Sequence, residues 1–212
     1  MTTTSSSATG VRRSDGWFGI VFVILVLASS ATVSLPSSAD PVEQISRLYA
    51  ENRIGYLVAQ LVGLLGVVVF VRFLFALLRD PAITSRWVRP AGMLVALAAI
   101  GTNVAVLILC LDPGLSPAGV RQAAVATDIT DDVLFAAYCL FFLALAASGL
   151  PSWLRGLAAL TALVCLIRAV ADLLPVPGID LVAPVLVLVV FLVFAIRLLR
   201  VTGRRRVATP AV

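Results

Sequence analysis

Apolar residues run in six long stretches: Trp17 to Leu35, Ile54 to Leu78, Ala91 to Leu111, Val133 to Leu150, Leu157 to Leu174 and Leu181 to Leu199. Each is close to the roughly 20 residues that a helix needs to cross a bilayer. Helix-breaking residues punctuate the ends: Pro36, Asp80-Pro81, Pro90, Asp112-Pro113-Gly114, Pro151, and Pro175 through Gly178. The pattern predicts an all-α fold, a polytopic bundle of six transmembrane spans. Residues 16–201 form its single domain, and 1–15 and 202–212 are disordered tails. The first stretch also fits a signal peptide, with Arg12-Arg13 ahead of it and Ser29-Ser30-Ala31 as a cleavage site. Cleavage there would leave five spans and an external N-terminus.

Two connecting segments carry patterns of their own. Between Asp40 and Arg53, Asp40 suits a helix cap, Pro41 a first turn, and Glu43 the matching position of a capping box. Val42, Ile45 and Tyr49 share one face while Glu43, Arg47 and Glu51 take others, which predicts an amphipathic helix on the outer surface leading into span two. The segment from Asp112 to Asp132 predicts a short helix starting at Ser116-Pro117, with Thr130, Asp131 and Asp132 capping span four.

Charge decides which way the bundle faces. If the N-terminus is cytoplasmic, twelve of the 16 basic residues, all arginines, fall at inner segments and helix ends, against the acids Asp15 and Asp80 alone. The outer side keeps Arg47, Arg53, Arg121 and Arg168 with nine acids, a strong positive-inside asymmetry. Trp17, Trp87 and Trp153 all fall at inner ends, as one side of an aromatic belt, with Tyr49 and Tyr56 on the other. The expected location is the cell membrane, as a multi-pass protein with both termini cytoplasmic.

Composition agrees: 61% hydrophobic residues, only 13% charged and a mean hydropathy of +1.09, where soluble proteins carry about 25% charged residues. The net charge of +5 does not point to nucleic acid, because the arginines flank apolar runs. The expected partners are the lipid bilayer, an anionic lipid or other membrane proteins. A lysine-free, histidine-free chain rich in alanine and valine reads as the product of a GC-rich bacterial genome.

The same composition narrows the chemistry. Without histidine there is no HExxH metal site, no histidine-ligated haem and no serine-histidine pair. Glu43 and Glu51, the only glutamates, lie on the outer side, and no GxSxG, Walker or dinucleotide motif occurs. The chain therefore reads as a non-enzyme that needs no cofactor and no metal. Cys110, Cys139 and Cys165 lie inside spans without CxxC spacing and read as small buried hydrophobes. Gly63, Gly66, Gly92, Ala96, Gly101 and Ala105 give spans two and three small packing surfaces. Span six, almost without small residues from Val185 to Ile196, reads as a peripheral helix facing lipid.

One feature resists the bland reading. Span five carries Arg168 and, one turn later, Asp172. A charge at that depth must be paired, hydrated or used. Counted from Arg155, Arg168 lies about 20 Å and Asp172 about 25 Å from the inner boundary, while Asn103 reaches about 20 Å and Gln60 sits about 10 Å below the outer one. These four form the candidate polar cluster. In one reading Arg168 pairs with Asp172, backed by Asn103 or Gln60, and locks spans two, three and five. In the other they line an outward-facing pocket with Arg168 anchoring an anionic ligand headgroup. Snorkelling of Arg168 to the surface is the third.

The segments YAENR, Tyr49 to Arg53, and GLPSWLRGLAAL, Gly149 to Leu160, resemble a family of small six-helix integral membrane proteins of unknown function, common in GC-rich bacteria. The resemblance implies a topology and no activity. The function expected is thus a structural or accessory membrane role exerted through partners. The alternative is a small carrier or lipid-binding protein with a polar pocket around Arg168.

Overall fold

The computed structural model describes residues 13–32, 36, 38–112, 115–170 and 179–207, with side chains placed for 15–31, 36, 38–112, 115–170 and 180–201. Seven helices and no strand occupy these residues: α1 (Arg13–Thr32), α2 (Val42–Glu51), α3 (Arg53–Leu77), α4 (Val88–Leu111), α5 (Pro117–Ala146), α6 (Ser152–Ala169) and α7 (Ile179–Val207). Helices α3 to α6 and the Asp180–Val201 part of α7 are each long and apolar enough to cross a membrane; the apolar stretch of α1, Asp15–Ala31, is shorter. Five such helices are the signature of a membrane-embedded protein.

Six helices close a ring in chain order. α1 packs on α3, α3 on α4, α4 on α5, α5 on α6, α6 on α7, and α7 returns to α1, while α2 rests against α3, α4 and α5 at one end. The ring is filled, not hollow. Phe191 of α7, fully buried, stands at its centre with ring centroids 5.3 to 6.2 Å from Phe22, Phe70, Phe73, Tyr138, Phe141 and Phe142. With lipid as apolar as leucine, van der Waals packing has to hold such a bundle, and interlocked aromatic rings supply it densely.

This placement limits the expectation of a lipid-facing last helix to one face, that of the exposed Leu181, Val182, Val185 and Val189. Ala183, Val187, Val190, Phe191, Phe194, Ala195 and Leu198 of α7 are all buried. The small residues that let it approach its neighbours sit on α1 instead. A Cβ at Gly19 would lie 2.6 Å from Ala195 Cβ and 2.7 Å from the Phe73 ring, and one at Gly16 2.8 Å from the Ala195 carbonyl oxygen. Gly92 likewise receives Leu74 where α4 meets α3.

The connections depart from expectation in two places. Helix α5 runs unbroken for 30 residues, about 45 Å at 1.5 Å per residue, so the outer segment and span four are one helix. No proline or glycine interrupts it after Gly119. Ser116 caps it as expected, accepting from Gly119 N–H at 3.2 Å, but Thr130 to Asp132 lie mid-helix. The Thr130 hydroxyl donates instead to the Ala126 carbonyl at 2.9 Å. At α2, Pro41 and not Asp40 holds the N-cap position, its carbonyl accepting from Gln44 and Ile45 N–H. The helix buries Ile45 and Tyr49, two of the three residues expected on its apolar face, and only Asn52 separates it from α3. Helix α7 continues to Val207, into the segment expected to be a tail; residues 1–12 and 208–212 lie outside the described residues.

Candidate functional site

Arg168 ends up in the last turn of α6, which closes at Ala169 with Val170 as its C-cap. A cation there complements the negative end of the helix dipole, as Asp180 in the first turn of α7 complements a positive one. Every nitrogen of the guanidinium is engaged. Nη2 meets Asp131 Oδ2 at 2.9 Å, Nη1 meets Asp132 Oδ1 at 3.0 Å and Nε meets Asp180 Oδ1 at 2.9 Å. Its plane lies over the Phe135 ring at 5.2 Å. One planar fork with five donors thus joins α5, α6 and α7, a geometry that a lysine ammonium would not reproduce.

Around it opens a cleft of about 650 Å³, walled by Thr102 of α4, Thr127, Asp128, Asp131 and Asp132 of α5, and the segment at Pro36, Ser38 and Ala39. That segment is clamped to α5: Ser38 N–H donates to Asp128 Oδ2 at 3.0 Å, and Arg121 Nη1 donates to the Ser38 and Asp40 carbonyls at 2.6 and 3.1 Å. The Thr102 and Thr127 hydroxyls return to their own helices, to the carbonyls of Ala98 and Ala123. The lining holds four aspartates to one arginine, so its field is negative. Among the described residues no group of three histidine, cysteine or acidic side chains is arranged to hold a metal ion.

The expected cluster is divided. Asn103 lies where α4 meets α3, its amide donating to the Ala99 carbonyl at 2.7 Å and its Oδ1 occupying the space beside Gly63. Gln60 is buried one turn away on α3. Neither lines the cleft. Asp172 lies outside the described residues. The partners of Arg168 that the sequence reading missed, Asp131, Asp132 and Asp180, carried a signal: the outer side had nine acids and only Arg168 at that depth. The pairing rule for one helical turn points to Asp172, a contact that falls outside the described residues.

At the opposite end, Asp80 and Asp15, the two acids expected on the inner side, are both buried and both paired. Asp80 Oδ2 accepts from Arg197 Nε at 3.0 Å, and Asp15 meets Arg79 at 3.5 Å. No protein-family model, no curated protein and no solved structure matches the chain.

Proposed function

We propose that this chain is a six-span protein of a bacterial cell membrane, similar to the small six-helix proteins noted above, with a structural or accessory role exerted through membrane partners and without catalysis. The observation that carries the reading is the saturation of Arg168. Its three nitrogens are taken by carboxylates from two other helices, so the intramembrane charge holds the bundle together and is not kept open for an anion. What supports α1 as a sixth span is its integration: Phe22 joins the aromatic centre, and Gly16 and Gly19 accept α7 and α3 at close range. Its 20 residues span about 30 Å, the thickness of the hydrocarbon core. A cleaved signal would leave that face of Phe191 bare. The arginine excess at the end shared by the start of α1 and the close of α7 favours placing that end in the cytoplasm.

The alternative of a carrier or lipid-binding protein draws support from the cleft's volume, but the lining changes the ligand. Four aspartates against one arginine would receive a cationic headgroup, not an anionic one. The two roles separate by experiment. Replacing Arg168 by leucine is expected to lower the stability of the purified protein in detergent, whatever ligand is present. If that variant keeps parental stability while retaining amine-headed lipids over anionic ones more strongly than the parent, as the loss of the one cation among four aspartates requires, the carrier reading replaces the structural one.

A further inference from the structure

At the arginine-rich end, a second cleft of about 430 Å³ lies between α6 and α7, lined by Trp153 from α6 and by Val193, Ile196, Arg197, Arg200 and Val201 from α7. The five α7 residues recur at helical spacing and so form one stripe. Four of the six lining residues are apolar, and Trp153 is 62% exposed. The two arginines close one side. Arg197 spends Nε on Asp80 at 3.0 Å, which leaves its terminal amino groups for the cleft. Arg200 is exposed and makes no ion pair among the described residues.

We infer that this cleft is a binding site for an anionic phospholipid, its phosphate held by Arg200 and the amino groups of Arg197 and an acyl chain laid along Val193 and Ile196 beside Trp153. Charge complementarity selects an anion, because both charged groups of the lining are cationic. The apolar floor selects a lipid over free phosphate, which has nothing to place on it. Tryptophan at this position suits the headgroup level of a membrane. A second groove, about 490 Å³ between α4 and α5, has the exposed Trp87 and an apolar floor from Leu94, Leu140 and Leu143, but no arginine in its lining. It supplies an internal control. The inference does not depend on the role proposed for Arg168, nor on which side of the membrane this end faces.

The test uses the full chain in vesicles with Trp17 and Trp87 replaced by phenylalanine, so that Trp153 alone fluoresces, and dibrominated lipids as contact quenchers. At equal mole fraction, brominated phosphatidylglycerol is expected to quench Trp153 more strongly than brominated phosphatidylcholine. Arg200→Gln should weaken that preference about fivefold, the fold-change for one arginine beside an anionic surface, whereas Arg86→Gln at the other groove should leave it intact. Inorganic phosphate should not compete. A companion protein retaining only Trp87, whose ring carries Arg86 at 5.3 Å but whose groove has no arginine in its lining, should show a smaller preference than Trp153. Equal quenching by the two lipids overturns the site. So does a preference untouched by Arg200→Gln, or one equally reduced by Arg86→Gln, since either would assign the effect to general surface charge. Because Arg200 is exposed and makes no ion pair among the described residues, its variant folds, and an unchanged thermal midpoint in detergent verifies this.

Discussion

Arg168 shows how far single positions can be read. A lone arginine in an apolar run demands partners on electrostatic grounds, and that demand was legible. Three of the partners were not, because α6 ends at Ala169 and brings the guanidinium to Asp131 and Asp132, whose sequence pattern is that of helix caps. Burial then sets the size of the effects. Arg168→Leu leaves three carboxylates facing one another and should cost on the order of 2–3 kcal/mol, below the range for fully buried pairs. The discount reflects Asp131 and Asp132 side chains that are 34% and 29% exposed. Asp180→Asn should cost under about 1 kcal/mol, because that side chain is 77% exposed. Chemical denaturation in mixed micelles measures both. A larger loss from Asp180→Asn than from Arg168→Leu would mean that the exposed arm carries the contact.

Helices carry their own expectations. Hydropathy located the five helices long enough to cross a membrane and the shorter apolar stretch of α1, because lipid and core ask for the same residues along each of them. It does not show which face of each helix packs: α7 keeps an exposed apolar face, but its other bulky stripe fills the ring, and the small residues that admit it are Gly16 and Gly19 on α1. Two substitutions probe this arrangement. Phe191→Ala removes the ring that six others surround and should cost about 3–5 kcal/mol. Gly19→Val should be comparably damaging, since its Cβ would stand 2.6 Å from Ala195 Cβ, which is fixed to the α7 backbone, and 2.7 Å from the buried Phe73 ring. Thermal midpoints in detergent decide both, and an unperturbed Gly19→Val protein would show that α1 does not dock on α7. For α2, cysteines placed at 45 and 49 should react with a soluble maleimide far more slowly than cysteines at 43, 47 and 51. Equal rates along the segment would describe an open loop.

Across the molecule, the class of fold was legible because composition and span length leave an apolar chain few ways to satisfy its backbone. The order of neighbours was not, since hydropathy counts spans without saying which of them touch. Topology remains an expectation with a direct check: reporters fused ahead of α1 and after α7 should both give cytoplasmic signals, and a periplasmic signal from the second would reverse the orientation. The sequential ring has one further consequence. The start of α1 and the close of α7 lie side by side, Gly16 against Leu199, while every other neighbouring pair of the ring follows in chain order, α1 and α3 by way of α2. A circular permutant, with α7 linked to α1 and new ends opened in the turn at 147–151, would keep every helix pointing in its present direction and every neighbour in place. Its insertion order would begin with α6, so the bundle's tolerance of that permutation would report whether assembly depends on which helix enters the bilayer first.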